Sequence, residues 1–245
     1  MKTRPDGRGH DQPRPISIQT GVMRSPEGSV EYASGETRVL IAASVTEGVP
    51  SWMRGEGRGW LTAEYAMHPR ATVRRQRRDG RGGSISGRTA EIQRLIGRSL
   101  RACVNFEALG ERTVHIDCDV LDADGGTRTA SITGGYIALA LAMNRLRKQG
   151  LVGEGVLRAP IVAISAGLVG EGVLLDLCYE EDRDAEVDLN VVGTPSGAIV
   201  EVQGTAEGEP IERALFDRLL DRATGAFEAL GKAQEEALRG AGVRP

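Results

Sequence analysis

The run TVHIDCDVLDADGGTRTASITGGYIALALAMNRLRKQ, Thr113 to Gln149, decides the fold. Its first eight residues alternate: Val114, Ile116, Cys118 and Val120 face one way, and His115, Asp117 and Asp119 face the other. Such period-two alternation predicts a strand with one buried face over Thr113 to Val120. A short turn at Gly125 and Gly126 follows, and the Ala-rich stretch from about Thr129 to Gln149 predicts a long helix. Within it the apolar residues Ile132 to Met143 stop at Asn144 and Arg145, short of the ~20 residues a bilayer crossing needs.

Upstream, Thr89 to Phe106 places Ile92, Leu95, Ile96, Leu100, Cys103 and Val104 on one helical face, with Arg94, Arg98 and Arg101 opposite. Thr89 is the expected N-cap, and Glu91 complements the helix dipole. Further upstream, Val39 to Ala43 is a continuous apolar run within Tyr32 to Val45, expected as a buried strand with turns at Gly28 and Gly35. Downstream, strands are expected over Pro160 to Leu168, Gly172 to Tyr179, Glu186 to Val192 and Ala198 to Gln203. A last long helix is expected from Ile211 to Arg239. Strands and helices in this order predict an α+β or α/β fold, helices on one or two sheets. No linker interrupts the chain, so one domain spanning 1–245 is expected, built of two similar halves, 1–150 and 151–245.

Composition narrows the function classes. The chain has 245 residues, 40% of them hydrophobic and 27% charged, which excludes global disorder and fibrous structure. The polar N-terminus carries no apolar signal segment. Three widely spaced cysteines, Cys103, Cys118 and Cys178, are expected as buried thiols in a reducing cytoplasm. The net charge of −3 conceals an asymmetry. Residues 1–150 hold 23 Lys and Arg against 16 acids; residues 151–245 hold 8 against 18. The positive charge is densest where Arg70, Arg74, Arg75, Arg77, Arg78, Arg81 and Arg88 face one acid, Asp79. Guanidinium forks suit phosphate oxygens, so this strip is a candidate polyanion surface.

Three segments carry possible chemistry. In Asp124-Gly-Gly-Thr-Arg-Thr129, two glycines between strand and helix let the backbone approach a ligand and leave N–H groups at the positive end of the helix dipole. Thr127 adds a hydroxyl and Arg128 a cation, completing a candidate phosphate cradle. Ser86-Gly-Arg-Thr89 puts Arg88 at a second helix start. Asp176 to Glu186 holds six acids, followed by Asp188. Carboxylates crowded like this hold a divalent cation, protonate a departing oxygen, or simply form a solvated loop; the last reading suits Glu180, Glu181 and Asp184 best. No Walker A loop, GxGxxG, HExxH or GxSxG occurs. Arginines, amides and carboxylates are tools for phosphoryl groups.

The segments GRGWLTAEYAMHPRAT (57–72), SGRTAEIQRLIGRSLRA (86–102), DCDVLDADGGTRTASITGGYIALA (117–140), LDLCYEEDRDAEVDLNVV (175–192) and VEVQGTAEGEP (200–210) together resemble the bacterial ribonuclease PH family. RPDGR (4–8) and GETRVL (35–40) fit as well, so nearly the whole chain is covered. The resemblance implies a duplicated β-α-β-α unit like one in a ribosomal protein. It implies a phosphate-dependent 3′→5′ exoribonuclease acting on tRNA 3′ ends and other structured RNAs such as rRNA. Nucleoside diphosphates leave, and the reverse reaction adds nucleotides. By motif it implies Arg88, Gly126, Thr127 and Arg128 as phosphate ligands. Asp182 and Asp188 become the catalytic pair, near Mg²⁺. It also implies that the strip Arg70, Arg74, Arg75, Arg77 and Arg78 meets RNA, and that the chain forms a homohexamer, a trimer of dimers. Asp122, Ile211, Glu212 and the Gly-rich stretch Asp79 to Ile85 depart from the family pattern without touching an implied ligand. The rival readings are a catalytically inactive RNA-binding ring subunit and a hydrolytic metal-dependent nuclease.

Overall fold

The structure, a computed structural model, describes residues 4–80 and 83–243. Its elements in the first half are β1 (Ile16–Thr20), β2 (Gly28–Ser34), β3 (Thr37–Glu47), β4 (Trp60–Met67), α1 (Gly87–Arg101), α2 (Phe106–Leu109), β5 (Arg112–Asp122) and α3 (Thr127–Lys148). In the second half they are β6 (Val162–Val169), β7 (Gly172–Leu175), α4 (Tyr179–Asp184), β8 (Val187–Gly193), β9 (Ile199–Ala206), α5 (Arg213–Thr224) and α6 (Phe227–Gly240). Two sheets form, ordered β1-β2-β3-β5-β4 and β7-β6-β8-β9. The fold is the expected mixture of strands and helices.

The strand expected over Thr113 to Val120 is the middle of β5, and Val114, Ile116, Cys118 and Val120 are all buried. Its neighbour β4 runs parallel to it, Met67 opposite Val120. That pairing requires a crossover, supplied by α1 packed on β4. The helix α3 has no continuous polar side: 16 of its 22 residues are buried, because it lies on β2, β3 and β5 and also contacts β6 of the other sheet. Two features allow that. Gly134 lets Ile41 approach, and a Cβ there would come within 2.4 Å of the Ile41 Cδ1. The Thr133 hydroxyl satisfies the backbone of β6, accepting from Ala163 N at 3.0 Å. Gln234 of α6 then donates to the carbonyls of Thr133 and Ile161, so a buried polar network joins α3, α6 and the start of β6.

Several sequence expectations shift. The first helix starts at Gly87 with Ser86 as its cap, whose hydroxyl accepts from Thr89 N. Thr89 lies one turn further in and gives its hydroxyl to Asp79. That helix ends at Arg101, and α2 follows as a separate short turn. The apolar segment from Tyr32 to Val45 is two strands folded about Gly35, whose φ of 56° allows the turn. β1 and β4 are strands beyond those expected; each carries a short alternating pattern, Ile16 with Ile18 and Leu61 with Ala63 and Tyr65. The third helix begins at Thr127, two residues earlier than expected. β7 ends at Leu175, and the remainder of its expected span leads into α4. The final helix is broken after Thr224. Thr and Gly are poor helix formers, and the turn there seats Phe227 against Gly193, where a Cβ would lie 2.4 Å from the ring.

Candidate active site

β4 and β5 are parallel, so their C-terminal ends share one edge of the sheet. Both are followed by helices: α1 after residues 68–86, and α3 after residues 123–126. Two helix N-termini therefore open at the same edge, where α/β folds collect anions. The loop and the turn are stitched together, His68 N donating to Val120 O and Ala123 N to Ala71 O, each at 2.8 Å.

At the start of α3, Gly125 and Gly126 have φ of 74° and 63°. This left-handed turn leads directly into the start of α3, whose first N–H groups have no intrahelical acceptor and attract anions. Space demands glycine too. A Cβ on Gly125 would meet the Leu177 carbonyl oxygen at 2.5 Å, and one on Gly126 would meet Arg14 Nη2 at 2.7 Å. Thr127 opens the helix, and its Oγ1 lies 2.9 Å from the hydroxyl of Tyr65 on β4. Burial, the largest influence, raises the Tyr65 pKa; the Thr127 bond and the fields of Arg88 and Arg128 oppose it without prevailing. Tyr65 is thus neutral and can donate to Thr127, leaving the Thr127 proton for an anion. It also reports that both arginines bear on one spot. Arg88, in the first turn of α1, is exposed and makes no ion pair among the described residues.

Asp188 on β8 is half-buried, and Asp182 on α4 is exposed. Burial raises the Asp188 pKa, the charge of Asp182 raises it further, and Arg128 pulls it down. The acidic pair and the cradle therefore sit within electrostatic reach of one another. Asn190 Nδ2 donates to Asp188 Oδ2 at 3.5 Å. Among the described residues no group of three or more His, Cys, Asp or Glu side chains converges as a metal site. Two hard, mutually repelling carboxylates nevertheless fit Mg²⁺, which takes one or two such ligands and completes its shell with phosphate oxygens and water.

The other acids separate sharply from this pair. Asp176, at φ 54°, is 4% exposed and belongs to the scaffold: its carboxylate takes Arg14 Nη2 at 2.6 Å, Arg14 Nε at 3.0 Å and Arg14 N at 2.8 Å. Glu181, expected in a solvated loop, is buried in a two-point pair with Arg4 at 2.7 and 2.8 Å. Burial would raise its pKa, but Arg4 and the Cys178 amide hold it below its ordinary value. The short helix α4 turns Glu181 inward and Asp182 outward, which a reading as loop cannot reveal.

Arg70, Arg74, Arg75, Arg77 and Arg78 are all exposed, on the loop that leads into α1. Asp79 ends the strip. Its carboxylate accepts from Thr89 Oγ1 and the Ser86 amide, and the Thr89 bond is the main reason its pKa is low. Arg81 lies outside the described residues. The three cysteines are free and buried. No helix among the described residues is long and apolar enough to cross a membrane. Two residues near this edge escaped sequence reasoning: Tyr65, which touches Thr127, and Gln203 of β9, whose Oε1 accepts from Arg128 Nη1 at 2.9 Å. Tyr65 was legible only through its alternation with Leu61 and Ala63 in β4, and Gln203 gave no local sign.

Models of the 3′ exoribonuclease family match this chain over both halves, domain 1 at residues 12–143 and domain 2 at residues 159–226. Proteins named Ribonuclease PH from Mycobacterium leprae (strain Br4923) and Mycolicibacterium smegmatis are 53% and 54% identical over 239 residues, covering 97% of this chain and 92% of theirs. The fold is similar to that of rice Rrp46, with a TM-score of 0.78 at 18% identity, covering 96% of this chain and 100% of that one. It is also similar to a chain of the Archaeoglobus fulgidus exosome with RNA bound to the active site, at TM-score 0.77, 25% identity, and coverage of 94% and 92%. Matched across both sheets and at more than half its residues by full-length relatives, the chain belongs to the 3′ exoribonuclease family typified by ribonuclease PH.

Proposed function

We propose that this chain is a phosphate-dependent 3′→5′ exoribonuclease, a tRNA nucleotidyltransferase in the reverse direction. One observation carries the reading: two helix N-termini, with Arg88, Thr127 and Arg128, open at one sheet edge beside the acidic pair Asp182 and Asp188. Orthophosphate held by Arg88, the amides at Gly126 and Thr127, and Arg128 is aligned with the terminal phosphodiester. A phosphate oxygen attacks that phosphorus, the bond to the preceding 3′-oxygen breaks, and a nucleoside diphosphate leaves. The departing 3′-oxygen takes up the proton that the attacking hydrogen phosphate gives up, so the shortened RNA ends in a 3′-hydroxyl. Alignment and charge neutralisation supply most of the rate, as in phosphoryl transfer generally. Asp182 and Asp188 would hold Mg²⁺, which screens charge on the phosphoryl oxygens. The exposed strip Arg70 to Arg78 leads RNA towards the cradle because it lies between β4 and the start of α1, where Arg88 sits.

The substrates we assign are tRNA 3′ ends and other structured RNA, including rRNA. The assembly is a homohexameric trimer of dimers, as the family resemblance implies. The two halves act as one folding unit, because α3 packs on both sheets. The free thiols suit a reducing cytoplasm. The deciding experiment incubates end-labelled RNA with and without orthophosphate. Shortening that needs phosphate and yields diphosphates is expected. Phosphate-independent release of monophosphates indicates a hydrolase, and binding without turnover an inactive ring subunit.

Two further outcomes are expected. Asp188→Asn lowers kcat by roughly 10²–10⁴-fold. Its urea midpoint holds or rises, since the native carboxylate is disfavoured by burial and by Asp182; wild-type turnover removes Asp188 from the chemistry. Charge reversal at Arg74 and Arg75 weakens RNA binding and reduces the slope of log K against log salt by about 1.4, the value for two lost single-strand phosphate contacts. An unchanged slope takes the strip off the RNA path.

A further inference from the structure

Arg128 is not free to swing. Its Nη1 donates to Gln203 Oε1 at 2.9 Å, and the same nitrogen lies 3.5 Å from Glu91 Oε1. The Gln203 Nε2 donates to that Glu91 oxygen at 2.5 Å. The three groups come from three elements: Glu91 from α1, Arg128 from α3 and Gln203 from β9. Their chemistry permits only one arrangement. An ionised Glu accepts and cannot donate, while Arg donates and cannot accept. Between them the Gln203 amide offers its NH₂ to one and its carbonyl oxygen to the other, so its orientation is set by its neighbours. A carboxylate at 203 cannot donate to Glu91, and a methyl can do neither.

We propose that Gln203, oriented by Glu91, is the positioning residue that fixes the Arg128 guanidinium in the phosphate cradle. The proposal rests on the reading of Arg128 as a phosphate ligand. A long Arg side chain on a helix start has several rotamers, and holding one beforehand removes an ordering cost from phosphate binding. The neutral amide does this without cancelling the cation. Glu91 is only 3.5 Å from Arg128, so Gln203 also takes up hydrogen-bonding capacity of Glu91 that would otherwise turn to the guanidinium. Thus β9, in the second sheet, shapes a site built mainly on the first.

Gln203 sits two residues from Glu201, which pairs with Arg98 of α1, Arg98 Nε donating at 3.1 Å. This second tie joins the same strand to the same helix without touching Arg128, and it is the natural control. The test measures phosphate KM and kcat for RNA shortening in wild type, Gln203→Ala, Gln203→Glu, Arg98→Ala and Arg128→Ala. Losing a hydrogen bond to a charged group raises phosphate KM about tenfold in Gln203→Ala. Gln203→Glu, which keeps the size of the native side chain, raises it further because its charge competes with phosphate for Arg128. Arg98→Ala, which loosens β9 from α1, leaves phosphate KM as it was. A wild-type KM in both Gln203 variants overturns the proposal, as does an equal rise in Arg98→Ala. Should Gln203→Ala fail to fold, Gln203→Glu decides alone. If phosphate dependence and the Arg128→Ala defect are present but the Gln203 variants behave as wild type, only the positioning role falls. If wild type shortens RNA without phosphate, the reading beneath it falls as well.

Discussion

Arg88→Ala is expected to lower phosphate-dependent RNA shortening by about 10³-fold, the scale of losing a preorganised cation at a transferring phosphoryl group. Arg88 is exposed at the first turn of α1 and has no ion-pair partner among the described residues, so no ion pair among them is lost with it. Its charge bears on Tyr65, whose hydroxyl touches Thr127 at the start of the second helix. The loss should therefore fall on phosphate use and leave the fold alone. RNA affinity should change little, because the strip from Arg70 to Arg78 is intact. Measuring phosphate KM, kcat and RNA binding on one preparation separates these effects. Normal turnover at ordinary phosphate concentration would show that the two helix starts do not grip the nucleophile together.

Asp176→Ala is expected to remove about 3–5 kcal/mol of stability, the usual result of stripping one partner from a buried ion pair. Native domains hold only ~5–15 kcal/mol in total, so much of the chain should be unfolded at 37 °C. The mechanism is specific. Asp176 accepts three bonds from Arg14. Without it a buried guanidinium is left uncompensated, and the same guanidinium donates to the Asp124 carbonyl at 2.5 Å, just before the cradle glycines. The pair also sets an acid limit. Burial pushes the Asp176 carboxyl up, but the Arg14 bonds and charge outweigh it, so the folded value lies below the ordinary 3.8. A depressed carboxylate contributes stability above its unfolded value and loses it as pH falls through the folded one. Urea midpoints of wild type should therefore fall below about pH 4. In a folded Asp176→Asn variant that part of the decline should be absent. An Asp176→Ala midpoint close to wild type would mean that Arg14 finds another partner.

Much of the site was readable because its signals are local. Gly125, Gly126, Thr127 and Arg128 lie together in four residues, and their conformation follows from the missing Cβ atoms and the strand-to-helix turn. β5 and α3 were likewise legible, since periodicity is written into consecutive side chains. The acids were harder. Asp176, Glu181, Asp182 and Asp188 look alike in sequence, and only their partners distinguish them: Arg14 and Arg4 claim the first two from far along the chain. The break at Thr224 and Gly225 was hidden for a similar reason, because the seat for Phe227 is Gly193 on another element.

Chain order alone was enough to establish the class of elements, the glycine turn leading into Thr127 and Arg128, the basic strip and the resemblance to the family, because each depends on neighbours or on long contiguous motifs. Folding decided what depends on distance in space. Parallel pairing of β4 with β5 brought two helix starts to one edge, β9 delivered Gln203 to Arg128, and Tyr65 reached Thr127. Hydrogen bonds and charges act over a few ångströms whatever the separation in sequence, so residues 62 to 112 positions apart became partners only once the two sheets had closed around α3.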